Sequence, residues 1–408
     1  MTLCKQDTVS ELSSDSLVTF AHGWFLRESA DLKRIVKWAR RRGLSPLLFW
    51  SLERQGSEDS EALKSLMSPG IWNVLRNDYY SAIAQALIRE QELKCLITVL
   101  EQAEASVVVL KRAALAYTVY PEAALRTMGD VDLLVHHKDV GRAQQVLQQL
   151  GYKRGLEPSE RFAPFDAEFT GEMSLYHTVG GHSMVVELHW ELFPVEWSRR
   201  ASALDLEALW ARAVPPQVGD SSALSLAPED MLIHVCLHLT VDGFSYLRGY
   251  VDIAQIVEAG KVDWSVFVEC ARQSRICVAC YFPLRCAKRS WGVDVPSDVL
   301  SALRPGLSRR WIGNWMTSRG TFREVSSERV WNYAAQLLTV DRVWDLARVL
   351  LWMLFPGPVW IRERCRLHSI EQAWVWTVVH LLVVLREGIR SVMALFAQVA
   401  RRYESTAF

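Results

Sequence analysis

The chain carries no net charge: 46 lysines and arginines balance 46 aspartates and glutamates over 408 residues. A protein that grips polymeric DNA or RNA carries a basic excess, so the balance argues against nucleic acid as a partner. Smaller anions stay open, because one local site is enough to hold them. Long hydrophobic runs are missing too. The most apolar stretches are Val349–Ile361, broken by Pro356 and Pro358, and Ala373–Leu385, which contains His380. Both fall short of the roughly 20 residues that a membrane-crossing helix needs, and both read as buried helices. Seventeen tryptophans leave room for a peripheral membrane contact without requiring one.

The N-terminal stretch MTLCKQDTVSELSSDS lacks the pattern of a secretory leader. Eight cysteines are scattered at positions 4, 95, 236, 270, 277, 280, 286 and 365, which is no disulfide framework. A reducing, cytoplasmic location is the expectation. Cys277 and Cys280 form a C-x-x-C, half of a zinc site, but the surrounding FVECARQSRICVACYFPLRC has no glycine for a knuckle. The spacing of Cys270, Cys277 and Cys280 instead predicts one face of a single helix, with the thiols as small buried hydrophobes.

Half of the residues are hydrophobic, and the length allows two or three domains. Residues 1–100 read as helical. In DLKRIVKWARRRG the apolar positions Leu32, Ile35, Val36 and Ala39 recur at helical spacing, Gly43 stops the helix and Pro46 restarts the chain. The run Arg40-Arg41-Arg42 reads as a solvated face. The period changes at Ser106. SVVVLK predicts a buried strand, AALAYTVY a short helix, MGDVDLLV a strand, and KDVGRAQQVLQQLGY a helix ended by Gly151. EMSLYHTVGGHSMVVELHWEL then predicts a hairpin turning at Gly180-Gly181. Beyond about residue 205 the pattern is helical again, with Pro228 at a first helical position. The expected class is α+β: a helical region over 1–100, a small mixed-sheet core over 101–200 and a helical domain over 201–408.

Chemistry concentrates in that core. Asp130 and Asp132 stand one residue apart in LRTMGDVDLLV. A strand alternates its faces, so the two carboxylates point the same way, and a proton or a cation must relieve their repulsion. Alone, such a pair reads as a solvated strand end. Glu187 in MVVELHW changes the weighting. Its neighbours Val186 and Leu188 suit the core, so Glu187 and His189 emerge together on the opposite face. If the two strands are neighbours, three acids converge, an arrangement that suits Mg²⁺ and leaves room for phosphate.

VVVLKRAALAYTVYPEAALRTMGDVDLLV followed by VVELHWEL resembles the uncharacterised nucleotidyltransferase family of the DNA polymerase β-like superfamily. The resemblance implies a Mg²⁺-dependent transfer of a nucleotidyl group from a nucleoside triphosphate to an acceptor, a small molecule or peptide being the better match to a neutral chain. It implies Asp130, Asp132 and Glu187 as metal ligands and catalytic acids, and Lys111 and Arg126 on the triphosphate side, with Arg112 and His189 beside them. One departure is visible: the family's L-K-G loop reads Leu110-Lys111-Arg112 here. A glycine lets backbone amides approach a phosphate. Arg112 either replaces those contacts with a charge or blocks them, and in the second case the protein is a weakened nucleotide binder or interaction protein on the same scaffold.

Blander assignments stand beside these. Arg126 suits a pair with Glu122. Arg248 and Asp252, four apart, suit a helix ion pair, or substrate contacts if the helical domain covers the site. His234 and His238 share a helix face, but HVCLH lacks the glutamate of H-E-x-x-H, so zinc is not expected there.

Overall fold

The computed structural model describes residues 32–54, 61, 64–154, 171–179, 182–193, 196–215, 223–320, 335, 337–365, 367 and 369–386. Helices α1 (Leu32–Arg41) and α2 (Ser45–Arg54) form a tight pair around Gly43. Gly43 is required there twice over. Its φ is +64°, and a Cβ would sit 1.4 Å from Nη2 of Arg248. Helix α3 runs from Pro69 to Gln102, started by Ser68, whose hydroxyl accepts from the Ile71 amide, and by Pro69 in the first turn. Its buried residues Leu93, Leu96, Ile97 and Leu100 recur at helical spacing and face the core. Truncating one of these, Leu96→Ala for example, is expected to cost about 2–5 kcal/mol.

The core begins with β1 (Val107–Val109), followed by α4 (Lys111–Thr118), β2 (Val131–Val135) and α5 (Val140–Gln149). Then come β3 (Lys153–Arg154), β4 (Glu172–Val179), β5 (His182–His189) and β6 (Leu224–Ser225). The six described strands make one mixed sheet in the order β3-β4-β5-β2-β1-β6. β2 runs parallel to β5 and antiparallel to β1, and is buried along its whole length. The hairpin of β4 and β5 pairs Val179 with His182 and continues to Glu172 with His189. The turn expected at Gly180-Gly181 lies outside the described residues.

Helices α6 (Pro228–Val241), α7 (Leu247–Glu258), α8 (Trp264–Gln273) and α9 (Cys277–Trp291) pack together and join the same hydrophobic core as the sheet. The single helix expected through Cys270 and Cys280 is two, broken at Ser274–Ile276, where Arg275 takes a φ of +59°. The Asp341 carboxylate accepts from the first amides of α9, at Cys277 and Val278, which makes the break a capped start.

The apolar stretches toward the C-terminus depart from expectation. They are helical in the main but only partly buried: Val349, Ile361 and Ala373 are fully covered, whereas Leu351 is 55% exposed and Trp374 61%. Among the described residues no helix is long and apolar enough to cross a membrane.

Candidate active site

Strand register builds the site. The parallel pairing of β2 with β5 sets Asp132 beside Glu187 and Leu134 beside His189. The alternate residues Val131, Leu133, Val186 and Leu188 are buried on the other face. Asp132 and Glu187 therefore emerge side by side, and His189 follows two residues on. The loop after β1 is pinned to the same point, because the Leu110 amide donates to the Asp132 carbonyl at 2.9 Å. Lys111 opens α4 with a φ of +47°. A left-handed backbone costs a non-glycine residue about 1–2 kcal/mol, and here it accompanies a side chain placed against Asp132 and Glu187.

The Lys111 ammonium lies 2.6 Å from Asp132 Oδ1, 3.4 Å from Glu187 Oε2 and 3.3 Å from His189 Nε2. His189 Nε2 is 3.1 Å from Asp132 Oδ1, and its Nδ1 is 3.1 Å from Glu172 Oε2. Burial opposes charge throughout and is outweighed at three of these groups. It would raise the Asp132 carboxyl, but the hydrogen bond with His189 and the Lys111 ammonium hold it down at about 2. It would depress Lys111, but Asp132 and the glutamates behind it push that amine up. It would depress His189, but hydrogen bonds with Asp132 and Glu187 push it up. At Glu172 burial prevails and the carboxyl is raised.

Asp132, Glu187 and His189 each offer a ligand atom within 4.8 Å of the others, the only such group of three among the described residues. Two further features fit this cluster to a divalent cation. Asp132 Oδ2 is buried and accepts no hydrogen bond, an orphan that a cation would satisfy. Lys111 already places a positive charge between the ligand atoms, as a stand-in ion.

Asp130 is placed differently. It precedes β2, whose first residue is Val131, and it pairs with the Arg112 guanidinium rather than joining the group of three. Arg112 shows why the loop tolerates the loss of a glycine: the left-handed conformation falls at Lys111, and Arg112 is not among the residues with positive φ.

A family model described as an uncharacterised nucleotidyltransferase matches residues 28–292, which spans the helical pair, the sheet and α6 to α9. The chain belongs to that family. No curated protein and no solved structure matches the chain.

Other residues expected to serve the nucleotidyltransferase site are engaged elsewhere. Arg126 is 2% exposed and grips Asp252 of α7 with two hydrogen bonds of 2.7 Å. That commits its guanidinium to Asp252. It does not pair with Glu122, which accepts from Trp50, Arg54 and Tyr79. Arg248 and Asp252 are no helix ion pair: Arg248 donates to the carbonyls of Arg42 and Thr127. Arg42 in turn donates to the Ser245 carbonyl, so the basic run is solvated only in part. The His234 and His238 rings lie 4.6 Å apart, and burial followed by the nearby cations holds both well below the ordinary range.

Glu172 was not anticipated from sequence. A signal for it existed, because counting outward from a two-residue turn at Gly180-Gly181 places it opposite His189.

Proposed function

We propose that the protein moves a nucleotidyl group from a nucleoside triphosphate such as ATP to an acceptor, releasing pyrophosphate. The observation that supports this most directly is the side-by-side pairing of Asp132 and Glu187 around a cation-filled gap. A bound Mg²⁺ neutralises the triphosphate and stabilises the attacking and leaving oxygens. In this reading Asp132 and Glu187 hold it, and Asp130 joins them when nucleotide displaces Arg112. Glu187, about a quarter exposed, also accepts the acceptor's proton as its oxygen attacks the α-phosphorus and the α–β bridge breaks.

Lys111 and Arg112, at the start of α4, meet the phosphates together with the positive end of that helix. The wider field agrees with an anion. Burial would raise the Tyr246 phenol, but Arg126, Arg248 and Arg112 outweigh it and pull it down. Arg126 and His189 act from behind, Arg126 as part of that field and His189 through Asp132. The core over 101–200 carries the chemistry and the flanking helical regions frame it.

A screen of cell extract with α-labelled and γ-labelled triphosphates tests the proposal. Transfer of the α label to an acceptor, with pyrophosphate released, is expected. Transfer of the γ label would mark a phosphotransferase instead. The ion pair of Arg112 with Asp130 favours a second reading, a nucleotide binder of weakened activity, whose signature is Mg²⁺-dependent binding with no label moved from either position.

A further inference from the structure

The ligand-bearing group is not all oxygen. Two carboxylates share it with an imidazole, and that imidazole has a carboxylate behind it: His189 Nδ1 meets Glu172 Oε2 at 3.1 Å while Nε2 faces Asp132, Glu187 and the Lys111 ammonium. A histidine that ligates a metal through one nitrogen typically gives its other N–H to a carboxylate, which fixes the ring and strengthens the donor. The β4–β5 register sets this relay, since Glu172 and His189 are paired residues of the hairpin. Asp132 Oδ2 supplies an independent sign of a ligand, being buried and without a partner.

We infer that His189 is a metal ligand held in that role by Glu172, and that the position shared with Asp132 and Glu187 takes a nitrogen-accepting divalent ion in preference to Mg²⁺. Co²⁺ and Zn²⁺ accept imidazole readily and Mn²⁺ takes it into a mainly oxygen shell, whereas Mg²⁺ holds to oxygen ligands and its own waters. The inference rests on the metal-dependent reading above and adds a second cation to its Mg²⁺, with the Asp132 and Glu187 carboxylates serving both. One arrives with the triphosphate on oxygen ligands, and the other sits at His189 before nucleotide binds. Occupying this position displaces the Lys111 ammonium, because two cations cannot share the same three ligand atoms.

Mn²⁺ alone is the probe, with nucleotide-free protein, so the outcome does not depend on whether any triphosphate turns over. Pulsed electron paramagnetic resonance reads nitrogen coordination directly from the coupling of ¹⁴N to bound Mn²⁺. The wild-type protein is expected to show that coupling and to keep it in about a hundredfold excess of Mg²⁺. His189→Asn is expected to lose it. Glu172→Gln, a change at a half-buried position that leaves the ligands in place, is expected to keep the coupling and to weaken Mn²⁺ binding roughly 10- to 100-fold.

Absence of ¹⁴N coupling in the wild type would overturn the inference, as would displacement of Mn²⁺ by equimolar Mg²⁺. Retention of the coupling in His189→Asn, or unchanged affinity in Glu172→Gln, would do the same. An enzyme active with Mg²⁺ can fail this test, and an inactive binder can pass it, so the two proposals stand or fall separately.

Discussion

Arg126 and Asp252, 126 residues apart in the chain, meet inside the protein through Nε to Oδ1 and Nη2 to Oδ2, each at 2.7 Å. The Tyr120 hydroxyl donates to the same Oδ1 at 2.7 Å. The pair fastens α7 to the segment entering β2, and so helps to fix where that strand lies against the helices. Breaking a buried pair leaves a charge without a partner, at a cost of about 3–5 kcal/mol, whereas replacing both members by apolar groups can be near neutral. Asp252→Ala is therefore expected to lower unfolding stability by that amount, and the double variant Arg126→Met with Asp252→Leu by much less. Denaturant titration of the three proteins decides it. Equal losses in the single and double variants would rule out a charge-driven effect.

With a metal at this cluster, Lys111 would compete with it for the same oxygens. Lys111→Met is expected to tighten Mn²⁺ binding to nucleotide-free protein by about tenfold, the equivalent of about 1.4 kcal/mol of released competition. The same variant is expected to bind metal–nucleotide more weakly, because the displaced ammonium is no longer present to meet phosphate. Calorimetric titration with each ligand would show opposite signs. Parallel changes would show that Lys111 does not exchange between carboxylates and phosphate.

Acid should test the cluster with a definite sign. Asp132 titrates at about 2 in the folded protein, below its ordinary value of 3.8, so its ionised form stabilises the native state. That contribution is complete above about pH 4 and disappears as pH falls through about 2. The stability difference between wild type and Asp132→Asn is expected to shrink as pH falls across that window. A difference that grows on acidification would reverse the assigned direction.

The thiols of α8 and α9 should be slow to react. Burial pushes Cys277 up to about 12 and Cys286 up to about 11, and lies behind the raised thiol of Cys270 as well. At pH 8 a thiol reagent is expected to modify the exposed Cys95 well before these positions. Stoichiometric zinc in purified protein, lost in a Cys277→Ser, Cys280→Ser double variant, would show the cluster to be a metal site after all.

How much of this was legible in the sequence depends on the range of each interaction. Strand alternation alone put Glu187 and His189 on one face, and β5 carries both, with Glu187 beside Asp132 of β2. Alternation says nothing of where a strand begins, and β2 begins one residue after Asp130. Glu172 was recoverable from hairpin register. Arg126 with Asp252 was not, since no local pattern joins positions so far apart. The break before α9 has no glycine or proline to announce it; Arg275 takes the left-handed turn instead. Apolar periodicity likewise could not tell that Leu351 and Trp374 would lie exposed, because it reports a face and not what covers it.

Arg112 bears most on whether the nucleotidyltransferase is an active one. Its guanidinium pairs with Asp130, and each partner is partly exposed at the edge of the cluster. Because both members still reach solvent, exchanging partners costs less here than it would for the fully buried pair of Arg126 with Asp252. When metal and triphosphate arrive together, Asp130 can turn to the cation and Arg112 to a phosphate, where a planar fork binds two oxygens at once. Arg112→Ala is then expected to weaken metal–nucleotide binding by about tenfold or more, in line with the roughly 1.5–3 kcal/mol of a charged hydrogen bond. Arg112→Gly discriminates further. The left-handed residue is Lys111, so a glycine at 112 supplies no conformation the loop lacks and costs the helix start up to about 1 kcal/mol. The glycine variant should therefore match the alanine variant or fall below it. Tighter nucleotide binding by Arg112→Gly than by wild type would show instead that Arg112 obstructs the phosphates, and would turn the balance to a binder of weakened activity.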